Sequence, residues 1–231
     1  MRDLLGTLVD LVVPRVCALC GELDVVVCQS CDLRIRDSGP VMRTLALPEG
    51  VVVVHSALAA GPEILRLITL FKDTGRSDLA TYLGGLLREA WVTHKTLAAE
   101  SSEAHRQSRA GIFVAVPQSR RAYRRRGWDP AQTLARAAAC PLERVLEVKA
   151  RHVDQTTLTR DARWRNVSHT VRVPPERADI IRGRTVTIID DVVTTGATMA
   201  EVARALTAAG AHRVQGLTVA SVERRPRQTH R

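Results

Sequence analysis

The chain has 231 residues, enough for one sizeable α/β domain with a small appendage, and its 45% hydrophobic content excludes a wholly disordered protein. Aromatic residues make up only 3%, so we expect no extended platform of rings for stacking nucleic-acid bases. The 34 basic and 24 acidic residues leave a net charge of +10, which favours phosphate-bearing partners such as nucleotides, sugar phosphates or nucleic acid, although a solvated arginine-rich surface gives the same count.

The first segment of the chain, MRDLLGTLVDLVVP, predicts a short amphipathic helix because its leucines and valines fall at helical spacing. Asp3 and Asp10 interrupt the apolar residues, which is not typical of a signal peptide. No apolar run in the chain approaches the roughly 20 residues of a membrane span. We therefore expect a cytoplasmic protein with no membrane span.

Four cysteines follow in the stretch CALCGELDVVVCQSC, as two C-x2-C pairs separated by seven residues. They are Cys17, Cys20, Cys28 and Cys31. Two such pairs supply the four thiolates of a tetrahedral zinc site, and disulfides are less expected in a reducing compartment. We predict a closed, structural Zn²⁺ site here, and we expect Cys140 to be a small core residue.

The first half of the chain predicts one strand and two helices. After a link at residues 36–50, consecutive valines predict a strand at residues 51–58. Pro62 opens a helix that Gly75 ends, and a second helix is predicted at residues 78–94.

The middle of the chain begins with a wholly apolar strand in GIFVAVP, as expected for a parallel sheet covered on both faces. The loop after it contains RRAYRRRGW, whose arginines and rings can meet phosphates and stack on bases, or can simply be solvated. Its candidate nucleic-acid contacts are Arg124, Arg125 and Arg126. Asp129 is expected to cap the next helix, and a strand is favoured at residues 142–148.

The last third of the chain predicts a strand–helix–strand unit, with strands at residues 184–190 and 212–222. Parallel units of this kind are right-handed, and they bind ligands at the carboxyl end of the first strand, where the chain turns into the helix. Asp190 and Asp191 lie at that end. The sequence therefore predicts a ligand site beside two adjacent carboxylates.

The turn after these acids is suited to a phosphate group. It combines threonine hydroxyls, a glycine and the free N–H groups of a helix N-terminus, and it lacks the lysine of a Walker A loop. Its residues are Thr194, Thr195, Gly196, Ala197 and Thr198. Because carboxylates accept hydrogen bonds from hydroxyls, the pattern predicts a ligand with a phosphate at one end and a vicinal diol nearby, as in a ribose 5-phosphate.

The run VTIIDDVVTTGAT resembles the phosphoribosyl pyrophosphate (PRPP) motif of type I phosphoribosyltransferases. Other stretches, in the same order, resemble the ComF family: the four cysteines, LFKDTGR, VAVPQSRRAYRRRGW and DQTTLTRDARWRN. The resemblance covers nearly the whole chain. It departs from the family where RGWDP stands for the usual RGFNQ, and where SALAAG lacks the usual aromatic residue before a glycine.

The ComF resemblance implies an α/β fold: a Rossmann-like parallel sheet flanked by helices, with a small N-terminal zinc finger. It implies that Asp190 and Asp191 bind the ribose hydroxyls as candidate catalytic residues, and that residues 194–198 bind the 5-phosphate. It also implies a pyrophosphate-binding set formed by Pro117, Gln118, Ser119, Arg120, Arg121 and Lys72. Gln155, Arg160, Arg163 and Asn166 match a further family segment, to which we assign no role.

We therefore expect residues 1–40 to hold the amphipathic helix and zinc knuckles, residues 50–223 to form a phosphoribosyltransferase-like domain, and residues 224–231 to be a flexible basic tail. The expected activity is transfer of phosphoribose from PRPP, bound with Mg²⁺, to an unidentified acceptor with release of pyrophosphate. The alternative is an accessory factor for DNA uptake in natural transformation. Such a factor would bind single-stranded DNA and DNA-uptake proteins and use the fold as a scaffold or PRPP sensor.

Overall fold

The computed structural model describes residues 15–48, 50–101, 111–148 and 170–222. The expected N-terminal helix, the segment from Gln155 to Asn166 and the expected basic tail at 224–231 lie outside these ranges. None of the helices within them combines the length and the hydropathy that crossing a membrane requires.

A five-stranded sheet forms the centre of the protein, with strand order β1-β2-β7-β6-β3. Strands β2, β7, β6 and β3 run parallel to one another, and β1 pairs antiparallel with β2 at the edge of the sheet. A separate two-stranded ribbon pairs β4 with β5. The strands are β1 (Val41–Leu47), β2 (Gly50–Ala59), β3 (Ile112–Ala115), β4 (Glu147–Val148), β5 (Val171–Arg172), β6 (Thr185–Val193) and β7 (Arg213–Ser221).

The helices connect these strands and cover the sheet. They are α1 (Gln29–Arg36), α2 (Pro62–Asp73), α3 (Leu79–Ser101), α4 (Arg120–Arg126), α5 (Pro130–Ala137), α6 (Ala178–Ile181) and α7 (Ala197–Ala208), with a 3-10 turn at Pro175–Arg177. Pro62 and Pro130 stand at the first positions of α2 and α5, where proline needs no hydrogen-bond partner.

Both faces of the sheet are buried, and neighbouring side chains on one strand point to opposite faces. On β6, Ile188 packs with α7 residues, whereas Ile189 packs with the core formed by α2, α3 and α5. This is the period-two alternation of a strand with an apolar layer on each side. The expected fold class, a mostly parallel α/β sheet flanked by helices, is confirmed.

The link expected at residues 36–50 is wrong for Val41–Leu47, which form the edge strand β1. The hydrophobic pattern concealed it because Leu45 is the only buried residue of this strand. The strand preference for residues 142–148 holds only for Glu147–Val148, since the rest of that segment is irregular. An edge strand and a short ribbon bury too few side chains to give a clear period-two pattern.

Helices α3 and α5 approach closely at Gly84. A Cβ built on Gly84 would lie 2.5 Å from Cβ of Ala137, whereas one built on the neighbouring Gly85 would meet nothing within 4 Å. We predict that Gly84→Ala lowers the free energy of unfolding by about 1–3 kcal/mol through overpacking, measured by urea denaturation.

The matched control is Gly85→Ala on the same helix turn. It should raise the free energy of unfolding by up to about 1 kcal/mol, because alanine favours helix more than glycine does. Equal effects of the two substitutions would contradict the close packing of α3 on α5.

Candidate functional site

The carboxyl ends of the parallel strands bring the candidate site together. The acids Asp190 and Asp191 lie near the end of β6, and the neighbouring strand β3 runs in the same direction. The N–H of Val116 donates to the carbonyl of Ile189 at 2.9 Å, so Pro117 and the residues after it emerge beside the acids. The fold thus places the two sequence motifs at one edge of the sheet.

Lys72 forms an ion pair with Asp191. Its Nζ lies 2.8 Å from Oδ1 and 2.7 Å from Oδ2 of Asp191, whose side chain is only 5% exposed. Lys72 stands in the last turn of α2, and the sequence had assigned it to pyrophosphate. A buried carboxylate needs such a partner, because an unpaired charge away from water is costly.

Among the residues that the structure describes, no lysine pairs with Asp190 in this way. Burial and the neighbouring charge of Asp191 raise the pKa of Asp190 from 3.8 to about 8, against weaker opposing effects from the N–H of Asp191 and from Lys72. That N–H donates to Oδ1 of Asp190 at 2.9 Å. The adjacent acids therefore differ: Asp191 is ion-paired with Lys72, whereas the pKa of Asp190 is raised by burial and by the charge of Asp191.

The turn at residues 194–198 leads from β6 into α7 through a glycine in the left-handed region. Gly196 adopts φ +83° immediately before α7, and a Cβ there would lie 2.7 Å from Cδ2 of Leu45 on β1. Both the backbone conformation and this close approach require glycine. The hydroxyl of Thr195 accepts a hydrogen bond from the N–H of Ala197 at 3.3 Å, whereas Thr194 and Thr198 are exposed.

Arg43 contacts this loop from β1, a role that no sequence motif indicates directly. Its guanidinium donates to the carbonyl of Thr194, to that of Thr195 at 3.3 Å and to that of Val222 at 3.5 Å. The only available clue was the spacing of Arg43 and Leu45, which places them on one side of a strand if residues 41–47 are extended.

The expected pyrophosphate segment joins a helix. Ser119 caps α4 by accepting from the N–H of Ala122 at 3.2 Å, and Gln118 donates to the carbonyl of Trp128 at 2.7 Å. Arg120 and Arg121 therefore begin α4 and do not lie in an open loop. The Oε1 of Gln118 is buried and has no hydrogen-bond partner among the described residues.

The arginines proposed for nucleic acid are not equivalent. Arg124 and Arg125 are exposed on α4, as is Tyr123 at 52%. Arg126 donates to Asp73 at 3.3 Å and its side chain is only 18% exposed. Trp128, expected to be available for stacking, packs edge-on against Phe71 with ring centroids 4.7 Å apart.

The four cysteines lie together and fit a metal ion. The sulfur atoms of Cys17, Cys20, Cys28 and Cys31 are all within 4.8 Å of one another. A tetrahedral zinc ion with Zn–S bonds of about 2.3 Å spaces its sulfurs by about 3.8 Å, so the observed cluster suits it. With four protein ligands such an ion would be structural.

The cysteine region is docked on the main domain. Tyr82 of α3 donates to Asp32 of α1 at 2.6 Å, and Arg36 pairs with Glu89 at 2.6 Å. Ile35 of α1 is buried in the same core as the large apolar residues of α2 and α3. Cys140 is also buried in that core, as predicted, and takes no part in the cluster.

Two cavities are candidates for a ligand, and the larger is not at the acids. The larger, about 730 Å³, lies between α3 and strands β1 and β2, where His55 and His94 stack with centroids 3.6 Å apart and burial lowers the pKa of His55 to about 4. The second, about 600 Å³, borders Pro117, Gln118 and Asp129. The second cavity adjoins the site because Pro117 emerges beside the acids.

Comparisons with known proteins show the family of the chain. The DNA utilization protein YhgH of Salmonella typhimurium is 30% identical over 206 residues, and that of Escherichia coli K12 is 29% identical over 207 residues; each match covers 87% of this chain and 86% of the relative. The chain belongs to the ComF family. A model of the phosphoribosyl transferase domain also matches this ComF-family chain at residues 123–230, which include the acids and the 194–198 loop.

A solved structure of the allosteric regulatory enzyme of purine biosynthesis is also similar to the ComF-family chain. It is 18% identical, with a TM-score of 0.37, and the match covers 76% of this chain and 34% of that one.

The raised pKa of Asp190 predicts a pH dependence of stability. Between the unfolded pKa of 3.8 and the folded pKa of about 8, the folded ligand-free protein binds more protons than the unfolded chain, so its free energy of unfolding falls as pH rises. Asp190→Asn should flatten this fall and leave the variant more stable than wild type at about pH 8. Urea denaturation of both proteins at several pH values measures the free energy of unfolding.

Asp179→Asn is the matched control, since the side chain of Asp179 is 88% exposed. It should leave the wild-type pH profile unchanged. A profile of Asp190→Asn that parallels the wild-type profile would show that Asp190 is ionised in the folded protein.

Proposed function

We propose that this protein binds PRPP at the carboxyl edge of the sheet and transfers its phosphoribose to an acceptor, releasing pyrophosphate. One observation carries the proposal: the diacid of β6, the 194–198 loop and the Pro117 segment share one edge. Residues 50–223 would form the catalytic domain, and residues 1–40 an appendage that the cysteine cluster stabilises. We expect the protein to work in the cytoplasm, where thiolates stay reduced.

The donor would be held from both ends. The amides and hydroxyls at residues 194–198, with the N-terminus of α7, suit the 5-phosphate. The carboxyl groups of Asp190 and Asp191 suit the ribose hydroxyls, since one protonated and one ionised carboxyl group can together donate and accept. Arg120 and Arg121 at the start of α4 would meet the pyrophosphate.

In the proposed reaction the bond from the anomeric carbon to pyrophosphate breaks, and the electron pair leaves with pyrophosphate. A lone pair of the acceptor forms the new bond, and the acceptor's proton passes to solvent. Asp191 supplies negative charge close to the cationic sugar that develops, and the fixed ribose lowers the entropic cost. Mg²⁺ would neutralise the leaving group. It would bind through the substrate's oxygens, because the carboxylate of Asp191 is already paired with Lys72.

The acceptor would enter beside the leaving group. The cavity of about 600 Å³ at Gln118 and Asp129 is of a size that suits a small molecule. Its lining offers carboxylates, arginines and amide groups, including Gln132 and Arg144. Such a lining favours a polar acceptor with several hydrogen-bonding groups, such as a nitrogen base or an amine.

Calorimetric titration with PRPP and Mg²⁺ tests the proposal. We predict binding to wild type and a loss of affinity of about hundredfold in the double variant Asp190→Asn with Asp191→Asn, because hydrogen bonds to charged groups contribute most to polar recognition. The matched control replaces two acids away from the site, Asp37→Asn with Asp179→Asn, and should bind as wild type does.

Turnover is measured as pyrophosphate release in a screen of bases and amines. Release that the double variant abolishes supports transfer. Binding without release with any acceptor favours the sensor alternative, and no binding to wild type would contradict both.

A second candidate function is an accessory role in DNA use, through binding of single-stranded DNA. The observation that favours it is the exposed face of α4, which presents Arg124, Arg125 and Tyr123. The relatives named DNA utilization proteins point the same way. Arginines meet backbone phosphates and an exposed ring can stack on a base. DNA-uptake proteins would then be the partners of this face.

We predict that Arg124→Ala with Arg125→Ala weakens single-stranded DNA binding about tenfold and lowers the slope of log affinity against log salt by about 1.4, as expected for two lost phosphate contacts. Fluorescence anisotropy over a salt series measures it. Arg126 is left intact because its side chain is only 18% exposed and lies 3.3 Å from Asp73, whereas that of Arg125 lies 3.8 Å from Asp73 and is 68% exposed.

The control variant, Arg172→Ala with Arg182→Ala, removes the same charge from side chains that are also largely exposed. It should keep the wild-type salt slope. If both double variants lose affinity equally, the protein binds DNA through net charge and not through α4.

A further inference from the structure

The edge strand β1 places the guanidinium of Arg43 against the 194–198 loop. Arg43 donates from Nη1 to the carbonyls of Thr194 and Val222 and from Nη2 to the carbonyl of Thr195. The first two carbonyls of the loop thus bind one guanidinium from the side of β1. Arginine suits this contact because its planar fork has several donors in fixed directions and keeps its charge.

These contacts fix the direction of the loop's amides. The carbonyl and N–H of one trans peptide point in opposite directions. Because Arg43 holds the carbonyls of Thr194 and Thr195, the N–H groups of Thr195 and Gly196 point away from β1. Within the described ranges, these two N–H groups donate to no acceptor.

Leu45 acts beside Arg43 on the same strand. Its side chain fills the space next to Gly196, where a Cβ would lie 2.7 Å from Cδ2. Leu45 is buried, so the packing of the core holds its side chain in place against Gly196. The loop therefore rests on a rigid apolar contact and a charged contact, both from β1.

We propose that Arg43 is the positioning residue that turns the amides of the 194–198 loop outward and so gives the site its preference for a ligand ending in a phosphate monoester. The inference rests on the proposed function for its ligand, but the arrangement of the loop is independent of any reaction. Arg43 acts through the loop: its guanidinium binds the carbonyl side of the peptides, and the phosphate binds the N–H side.

The experiment compares Arg43→Met and Arg43→Lys with the control Arg182→Met, which removes an arginine whose side chain is 69% exposed. Ribose 5-phosphate probes the loop, and inorganic pyrophosphate probes the segment at Pro117; both are titrated by calorimetry. We expect Arg43→Met to lose about hundredfold in affinity for ribose 5-phosphate and less than about twofold for pyrophosphate. Arg43→Lys should lose about tenfold, because one ammonium cannot reach all three carbonyls.

Hydrogen–deuterium exchange of the ligand-free proteins provides a second readout. The amides of residues 194–198 should exchange faster in both Arg43 variants than in wild type and in Arg182→Met, with no change in the amides of β6. Equal loss for both ligands, or unchanged affinity for ribose 5-phosphate, would overturn the inference. If the amides exchange faster in the Arg43 variants but the wild-type protein binds no ribose 5-phosphate, the role of Arg43 in the loop is upheld and the proposed function is contradicted.

Discussion

The ion pair between Lys72 and Asp191 is the interaction on which the site depends. Two adjacent carboxyl groups at the end of a buried strand repel each other and lose solvation, and a single nearby cation can stabilise only one of them. Lys72 lies 2.7–2.8 Å from both oxygens of Asp191, whereas burial and the neighbouring charge of Asp191 raise the pKa of Asp190. The two acids therefore differ as hydrogen-bond partners: Asp191 is ion-paired with Lys72, and the raised pKa of Asp190 favours its protonated form.

This division depends on the fold as well as on the two residues. Lys72 lies at the end of α2, which the chain completes more than a hundred residues before β6. The parallel sheet brings the end of α2 to the carboxyl edge of β6, and Phe71, the residue before Lys72, is fully buried in the core. Because the backbone next to Lys72 is anchored by Phe71, Lys72 loses less conformational entropy on pairing than a lysine on a mobile loop would.

The sequence predicted those features whose chemistry is local. Four cysteines with two short spacings, and acids followed directly by a glycine-containing turn, are visible without a structure because all their parts lie within about 15 residues. Arg43, which reaches the carbonyls of residues 194 and 195, is 151 residues from its first acceptor and gave no such signal. β1 was missed for a related reason, since an exposed edge strand with one buried side chain has no hydrophobic period.

The run RRAYRRRGW shows why composition alone could not distinguish pyrophosphate binding from nucleic-acid binding. The capping bond from Ser119 ties the start of α4 to the segment at Pro117, and Trp128 and Arg126 fix its end against Phe71 and Asp73. The helix is thus held at both ends, and Arg124 and Arg125 on it are exposed. Because one short rigid helix carries both proposed contacts, a phosphate bound at its start and a nucleic-acid strand bound along its face would feel each other's charge. Two polyanions within a Debye length of about 10 Å repel, so under the proposed assignments PRPP and DNA would exclude each other rather than bind independently.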